Sequence, residues 1–550
     1  DLNELRLRFS IADDMGRLLM SKVEQAAAEV GFSYELAEFL GKYVYATADL
    51  ITEGGAIVDQ LRAAPVPVVQ AERRAREYMA QVSFGGGRHY FRDTRRRLVR
   101  AAGAEMGFTW GGDVNNSLDV PTSTFGTYWY HRGPTTEEGI EAAIAEYEAS
   151  GDVSALAYNT KRALYERTGD TKFLTRAPCF HDPDFMNDLT TTVGEAARQK
   201  AAYNFDYYFV GDEGSLTSYG DALDICWGEH ALPAFREWLK TEYESLEALN
   251  REWKTDYADW ESVLPYTTAE AQQTGRFAPW ADHRTFMEVT FANANRQVRE
   301  AVAAGDPEGH IAVSGTQATN AYNGCDWYRL DQVIDDFLSY GGGNQWDLHR
   351  SFAKPGAMIG FWTGYGSSGI GVQNAIWTAA IHNVLYPNIF WMYSYLDPDF
   401  TYSDSARDMG EAFKALKYEG IGKLIMESER LHDGIAIHFS MPSVHAATIT
   451  GNHSRPRRGE EAGGRNFPGN RDGWVRVVKD LGMQFEFASS EQVEQGILST
   501  GEYRVLILPM SMALSREEVE AIRSFIAAGG VVIADAGAGA MDEHCSWSER

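Results

Sequence analysis

A short apolar run that ends in two carboxylates constrains the fold of this chain more than any other feature. Residues 207–210 are Tyr, Tyr, Phe and Val, and Gly211, Asp212, Glu213 and Gly214 follow at once. Such a run is typical of a strand that a parallel sheet buries on both faces. In a barrel of alternating strands and helices, the carboxyl ends of the strands carry the chemistry. The run therefore predicts a catalytic acid, Glu213, whose apolar surroundings help it keep a proton near neutral pH; the alternative is a surface turn with solvated acids.

The same strand and helix alternation extends over the middle of the chain. Its strands end in polar or aromatic residues, which indicates a (β/α)8 TIM barrel with its site at the strand C-termini. We assign residues 106–428 to this barrel. Its predicted strands cover residues 125–132, 175–182, 205–211, 310–314, 333–340, 357–362 and 388–394, and its predicted helices cover residues 135–150, 189–203, 231–246 and 287–303.

The two ends of the chain have different patterns. Residues 1–105 form an N-terminal part that leads into the barrel, with a predicted strand at 6–11 and predicted helices over 15–40 and 58–82. Residues 429–550 predict a doubly wound, flavodoxin-like or amidotransferase-like α/β domain. Its evidence is strands at 434–438, 503–508 and 531–534, helices at 473–482 and 490–497, and a capped helix from Ser515 to 528. The chain begins and stops in mid-pattern, so we expect a piece of a longer protein.

Composition excludes several classes of function. The formal net charge of −28 disfavours nucleic-acid binding, because phosphates would be repelled over the whole surface. The sequence has no apolar run of the length that a membrane span needs. Its four cysteines lie far apart, so we predict neither a disulfide framework nor a metal site, and no cofactor. The 14 Trp and 27 Tyr suit stacking on sugars, although most of them are expected to pack the core.

The segment around Glu213 resembles glycoside hydrolase family 42, the β-galactosidases. That family carries Asn-Glu at a strand tip, followed by a helix and a Leu-Asn, Trp segment, which residues 235–253 match here. Residues 430–540 resemble the family's amidotransferase-like second domain. The resemblance implies hydrolysis of a β-linked, galactose-like bond in an oligo- or polysaccharide, with Glu213 as general acid/base, and a homo-oligomer, either a dimer or a trimer.

Three departures from that family stand out. Asp212 replaces the Asn that binds the sugar 2-hydroxyl, which adds a second negative charge beside Glu213. The family's nucleophilic Glu follows a Lys-Pro and a short apolar strand, whereas residues 354–366 contain no carboxylate. The family's cysteine-rich zinc cluster is missing as well. The retaining mechanism of the family therefore cannot simply be transferred.

Another carboxylate is expected to supply the second catalytic group. Asp347, which follows the predicted strand at residues 333–340, is our preferred candidate, with a helix cap or a partner of Arg350 as its alternative role. Asp326, Asp397 and Asp399 are further candidates, and a turn role is at least as well supported for the last two.

Residues near other strand tips are candidates for substrate binding, because a bound sugar would stack on them or hydrogen-bond to them there. They are Trp129, His131, Arg132, His181, Asp182, Tyr219, Gln317, Asn320, Trp346, Trp362, Tyr365 and Trp391.

Two alternative functions stay open at this point. A lyase or hydrolase of acidic polysaccharide would need a base such as Tyr340, Tyr365, His349 or His181. It would also need cations, which the five arginines of residues 452–474 could supply; that segment is otherwise a mobile loop or an oligomer contact. The non-enzymatic alternative is a degenerate barrel that binds glycans without cleaving them.

Overall fold

The fold is seen in a computed structural model of the chain. It describes residues 4–13, 18–36, 43–63, 66–67, 78, 80–84, 98–99, 101–109, 132–203, 207–340, 344–363, 368–389, 395–453 and 466–548.

An antiparallel sheet occupies the N-terminal part. Its strands are β1 (Leu5–Asp13), β2 (Leu18–Gln25), β3 (Tyr43–Thr52), β4 (Ile57–Arg62) and β5 (Val66–Pro67). The order is β2-β1-β3-β4, and β5 pairs with β3. The strand predicted at residues 6–11 is confirmed by β1. The helices predicted over 15–40 and 58–82 are wrong where these residues are described, because cross-strand pairing decides the structure of short apolar segments whose period is ambiguous.

Seven parallel strands form the barrel sheet of the described residues. They are β6 (Gln81–Phe84), β7 (Glu105–Thr109), β8 (Tyr208–Asp212), β9 (Ile311–Thr316), β10 (Asp336–Ser339), β11 (Met358–Thr363) and β12 (Tyr386–Ile389). The order β7-β6-β12-β11-β10-β9-β8 joins the first strand to the last, as a closed (β/α)8 barrel requires. The strand predicted between β7 and β8, at residues 125–132, lies almost wholly outside the described residues.

Burial explains why the barrel strands read as apolar runs. Every residue of β8, β10 and β11 is buried, so neither face of these strands shows the alternation of a half-exposed strand. The barrel sheet takes in β6 and therefore begins before residue 106. The predicted domain boundaries after residues 105 and 428 stay predictions.

Helices alternate with these strands, and local signals fix several of their ends. Thr136 caps the first of them through its side chain, and Gly151 ends it in the left-handed conformation. The strand predicted at residues 175–182 is wrong, because this segment turns and Asp182 caps a helix. The helices of this part are Glu137–Ser150, Tyr158–Thr168, Pro183–Lys200, Ala231–Glu242, Leu246–Trp253, Thr268–Thr274, Ala278–Gly305, Trp327–Asp331, Gln345–Phe352, Ile370–Ile381, Asp404–Tyr418 and Ile421–Met426.

A second parallel sheet follows, with the doubly wound topology that the sequence predicts. Its strands β13 (Ile435–Phe439), β14 (Phe485–Ser489), β15 (Val505–Leu508) and β16 (Val531–Ala534) lie in the order β14-β13-β15-β16. The predicted cap at Ser515 is confirmed as a capping box with Glu518. The helices are Met441–Ile449, Phe467–Asp480, Ser490–Glu494 and Arg516–Ala527. In the part of the chain that the structure describes, none of the helices combines the length and apolar character that a bilayer crossing needs.

Polar contacts join this second domain to the barrel. The Glu288 carboxylate accepts from His445 at 2.7 Å, and Arg329 pairs with Glu491 at 2.7 Å. Phe487 donates its backbone N–H to the Ser351 hydroxyl at 2.9 Å. These contacts lie on the helices that surround the barrel, so the second domain packs against its outer layer.

Candidate active site

The backbone at Glu213 is held by the neighbouring strand. Glu213 directly follows β8, and its N–H donates to the carbonyl oxygen of Ser314 at 2.8 Å. The Gln317 side chain donates to the carbonyl oxygen of Glu213 at 2.9 Å. The φ angle of Glu213 is +50°, a conformation that costs a residue with a side chain about 1–2 kcal/mol. Such strain persists where the surroundings fix it, and it is concentrated at functional sites.

The carboxylate of Glu213 is engaged from another strand tip. Tyr340 follows β10, and its hydroxyl donates to Oε1 of Glu213. Tyr340 is 42% exposed and Glu213 is half-buried, so this pair faces solvent at the carboxyl ends of the strands. The acid predicted from the sequence therefore lies at the barrel mouth, where this fold carries its chemistry.

Asp212 lies beside this pair in a drier position. Its Oδ1 accepts from the Ser314 hydroxyl at 2.7 Å, and the Trp362 indole donates to the Ser314 oxygen at 2.8 Å. This relay joins the tips of β8, β9 and β11. Burial raises the pKa of Asp212 to about 6, the charge of Glu213 adds to the rise, and the Ser314 hydrogen bond opposes it.

A glycine makes room for this convergence. Gly315 has a φ angle of +61°. A methyl group added there would lie 2.6 Å from Cγ of Glu213, 3.0 Å from Oδ1 of Asp212 and 3.0 Å from the Tyr340 hydroxyl oxygen. Three side chains from the tips of β8 and β10 therefore surround one point on β9 that only a glycine leaves open.

Asp347 lies elsewhere, in the helix Gln345–Phe352. Its Oδ1 accepts from Arg350, and its Oδ2 pairs at 2.7 Å with Lys479 of the second domain. Burial alone would raise the pKa of Asp347, but Arg350 and Lys479 outweigh burial and hold the pKa below its usual value. Both oxygens thus serve the junction between barrel and second domain, and the predicted role as second catalytic group finds no support in these contacts.

The other candidate carboxylates also have local partners. Asp326 caps the helix Trp327–Asp331 and pairs with Arg329. Asp399 accepts from the backbone and the hydroxyl of Thr401 in a turn. These contacts agree with the turn role that is the alternative for Asp399.

Two of the predicted substrate-binding residues lie beside Glu213. The Gln317 side chain donates to the carbonyl oxygen of Glu213, and the Trp362 indole donates to Ser314, which bonds Asp212. Asn320 lies close to Gly220, and its Oδ1 accepts from the N–H groups of Tyr322 and Asn323, so it shapes the loop after β9.

The remaining described candidates are held in contacts of their own. Trp346 packs edge-on against Phe361, with ring centroids 5.3 Å apart. His181 stacks on Phe286 and bonds Thr290 at 2.9 Å, and burial lowers its pKa to about 4. Asp182 is a helix cap, and the carbonyl oxygen of Arg132 accepts from Asn159 at 3.1 Å. Outside the described residues lie Trp129, His131, Tyr365, Trp391 and the side chain of Tyr219.

The residues considered for a lyase mechanism also lie in different parts of the structure. His349 is buried and bonds Asp331 at 3.0 Å, remote from solvent. Arg471, one of the five arginines of residues 452–474, is buried against the ring of Phe439. The other four arginines lie outside the described residues. Tyr340, by contrast, hydrogen-bonds the Glu213 carboxylate at the barrel mouth.

Ser314 and Gly315 are the site residues that sequence reasoning missed. The available signal was the Ser-Gly-Thr that closes β9, in which Ser314 pairs in register with Asp212.

Among the residues that the structure describes, no group of three or more His, Cys, Asp or Glu side chains could hold a metal ion.

Comparison with known proteins agrees with the resemblance. A family model of glycoside hydrolase family 42, described as β-galactosidase, matches residues 217–354, a segment that begins just after Glu213. No curated protein sequence matches this chain significantly.

Solved structures of the same fold cover most of the chain. The β-galactosidase of the psychrophilic Marinomonas ef1 is 14% identical, with a TM-score of 0.57, over 86% of this chain and 77% of that chain. For the β-galactosidase of Bacillus circulans sp. alkalophilus the identity is 12%, the TM-score 0.58 and the shares 86% and 73%. An exo-carrageenase of family 42 from Bacteroides ovatus has 12% identity, a TM-score of 0.52 and shares of 86% and 64%. The predicted fold class and the resemblance to family 42 are confirmed.

Proposed function

We propose that this chain is a glycoside hydrolase that cleaves a β-linked, galactose-like bond, with Glu213 as the proton donor to the leaving oxygen. The observation that carries this proposal is the position of Glu213 at the tip of β8, engaged by Tyr340 and flanked by Asp212. The match to a family model described as β-galactosidase supports the reaction and the sugar. The β-galactosidases among the structures of the same fold support them as well.

Hydrolysis of a glycosidic bond needs a second group besides the proton donor. Asp212 is our candidate, because it is a carboxyl group at the same strand tip. Its pKa of about 6 lets it exchange a proton near neutral pH. When ionised, Asp212 adds negative charge beside Glu213, which favours the positive charge that develops on the sugar ring in the transition state.

Glu213→Gln is the direct test of the proposed reaction. The amide keeps the shape of the side chain but cannot donate the proton, so we expect kcat on a 4-methoxyphenyl β-galactoside to fall by about 10²- to 10⁴-fold. Glu427→Gln is the matched control, because the Glu427 side chain is 67% exposed and pairs with the exposed Lys423 at 3.6 Å. Full activity of Glu213→Gln would contradict the proposed role.

A second substrate class belongs in the same assay. One structure of the same fold is an exo-carrageenase, so a sulfated galactan is tested beside neutral β-galactosides. Absorbance from an unsaturated uronate would indicate a lyase. Binding without release of reducing ends from any glycan would indicate a glycan-binding barrel. A homo-oligomer, dimer or trimer, is proposed on the resemblance alone, and light scattering tests it.

A further inference from the structure

The hydrogen bond between Tyr340 and Glu213 crosses one intervening strand. Tyr340 follows β10, Glu213 follows β8, and β9 lies between these strands in the sheet. The point where a side chain on Gly315 would begin is 3.0 Å from the Tyr340 hydroxyl oxygen and 2.6 Å from Cγ of Glu213. The phenol therefore reaches the carboxylate over the bare backbone of β9.

Contacts from β9 and from the loop after it fix the backbone of Glu213. Ser314 and Gln317 bond the N–H and the carbonyl oxygen of Glu213. A glutamate carboxyl group still turns about three side-chain bonds, and each orientation that is wrong for proton transfer lowers the rate. A phenol hydroxyl bonded to Oε1 selects among these orientations.

We propose that Tyr340 is a positioning residue for Glu213, one that holds Oε1 so that Oε2 carries the proton towards the leaving oxygen. This inference rests on the proposed function of Glu213. In the step itself, the proton passes from Oε2 to the glycosidic oxygen, which keeps the electron pair of its breaking bond to the anomeric carbon. Water adds to that carbon and releases a proton, so the proton that Glu213 lost is replaced and none is consumed overall. Tyr340 keeps its own proton throughout.

The leaving group of the substrate distinguishes positioning from a general structural role. A 4-methoxyphenyl β-galactoside needs a proton on its leaving oxygen, whereas a 2,4-dinitrophenyl β-galactoside leaves as a stable anion without one. For Tyr340→Phe we expect kcat on the methoxyphenyl substrate to fall by about 10- to 100-fold at nearly unchanged KM. On the dinitrophenyl substrate we expect a loss of less than about threefold.

Two further variants complete the experiment. Tyr418→Phe is the matched control, because Tyr418 is 60% exposed at the end of the helix Asp404–Tyr418. In a Glu213→Gln background, Tyr340→Phe should cost nothing further, since a positioning residue acts through the group that it orients.

Three patterns of loss in the Tyr340→Phe variants would overturn the inference. They are an equal loss on both substrates, a loss confined to KM, and a full additional loss in the Glu213→Gln background. A wild-type protein inert on both galactosides would contradict the proposed function itself. An active wild type with an unaffected Tyr340→Phe variant would contradict only the positioning role.

Discussion

Asp212 at the barrel mouth and Asp347 at the junction with the second domain are both buried aspartates, yet they differ in their partners. Asp212 is 7% exposed and receives a neutral hydroxyl, and its pKa is raised to about 6. Asp347 is 2% exposed and receives two cations, and its pKa is lowered. Burial raises the pKa in both cases, so the partners decide the direction of the net shift.

The two sets of partners suit the two aspartates to different roles. A carboxyl group that can gain and lose a proton near neutral pH suits catalysis. A carboxylate that two cations keep ionised suits a structural ion pair between domains. Position near a strand tip does not make that distinction, because Asp212 is the last residue of β8 and Asp347 comes shortly after β10. Their neighbours from distant parts of the chain do.

The largest expected effect is on the stability of the junction. Asp347→Ala leaves Arg350 and Lys479 without their shared carboxylate in a buried setting, so the free energy of unfolding should fall by about 3–5 kcal/mol. Urea denaturation measures this, and Asp404→Ala is the control. Asp404 and Arg407 have the same spacing as Asp347 and Arg350 but are exposed, so about 0–1 kcal/mol is expected. A large loss of kcat in folded Asp347→Ala would make Asp347 catalytic after all.

A change of opposite sign is expected at the mouth. The folded pKa of Asp212 is raised from 3.8 to about 6, so the folded state binds more protons and wild-type stability falls as pH rises through this window. Asp212→Asn keeps an acceptor for Ser314 but carries no charge. It should therefore raise the free energy of unfolding by about 1–3 kcal/mol at pH 7.5 and have little effect at pH 4. Urea titrations at the two pH values check this, and a gain of equal size at both would contradict the assigned titration.

The smallest expected effect concerns the relay between these strands. Ser314→Ala removes the hydroxyl that bonds Asp212 and receives the Trp362 indole, at a cost of about 1 kcal/mol in the free energy of unfolding. Because that hydrogen bond lowers the pKa of Asp212, its loss should move the titration of Asp212 to higher pH. The measurement is the pH dependence of stability in Ser314→Ala against Ser314→Thr, which keeps the hydroxyl. An unchanged titration would mean that Ser314 does not control Asp212.

The sequence predicted the parts of this structure that local patterns determine. An apolar run that stops abruptly predicted strand β8 and the Glu213 directly after it. Ser515 and Glu518, three positions apart, predicted the helix cap at Ser515. Local patterns failed for β2 and β4, for which they predicted helices. These segments are strands because each pairs with a neighbour, β2 with β1 and β4 with β3. Local patterns also could not indicate that Lys479, 132 residues away in the chain, pairs with Asp347.

The short helix Gln345–Phe352 reaches both regions. Gln345 at its start accepts from the Thr316 and Ser339 hydroxyls at the tips of β9 and β10, and Asp347 and Arg350 on the same helix bind the second domain. An engineer who cut the chain after residue 428 to obtain a minimal barrel would remove Lys479 and Phe485 from this helix. The trimmed protein would keep Glu213, Asp212 and Tyr340, yet it would lose contacts that support this helix and, through Gln345, the tips of β9 and β10.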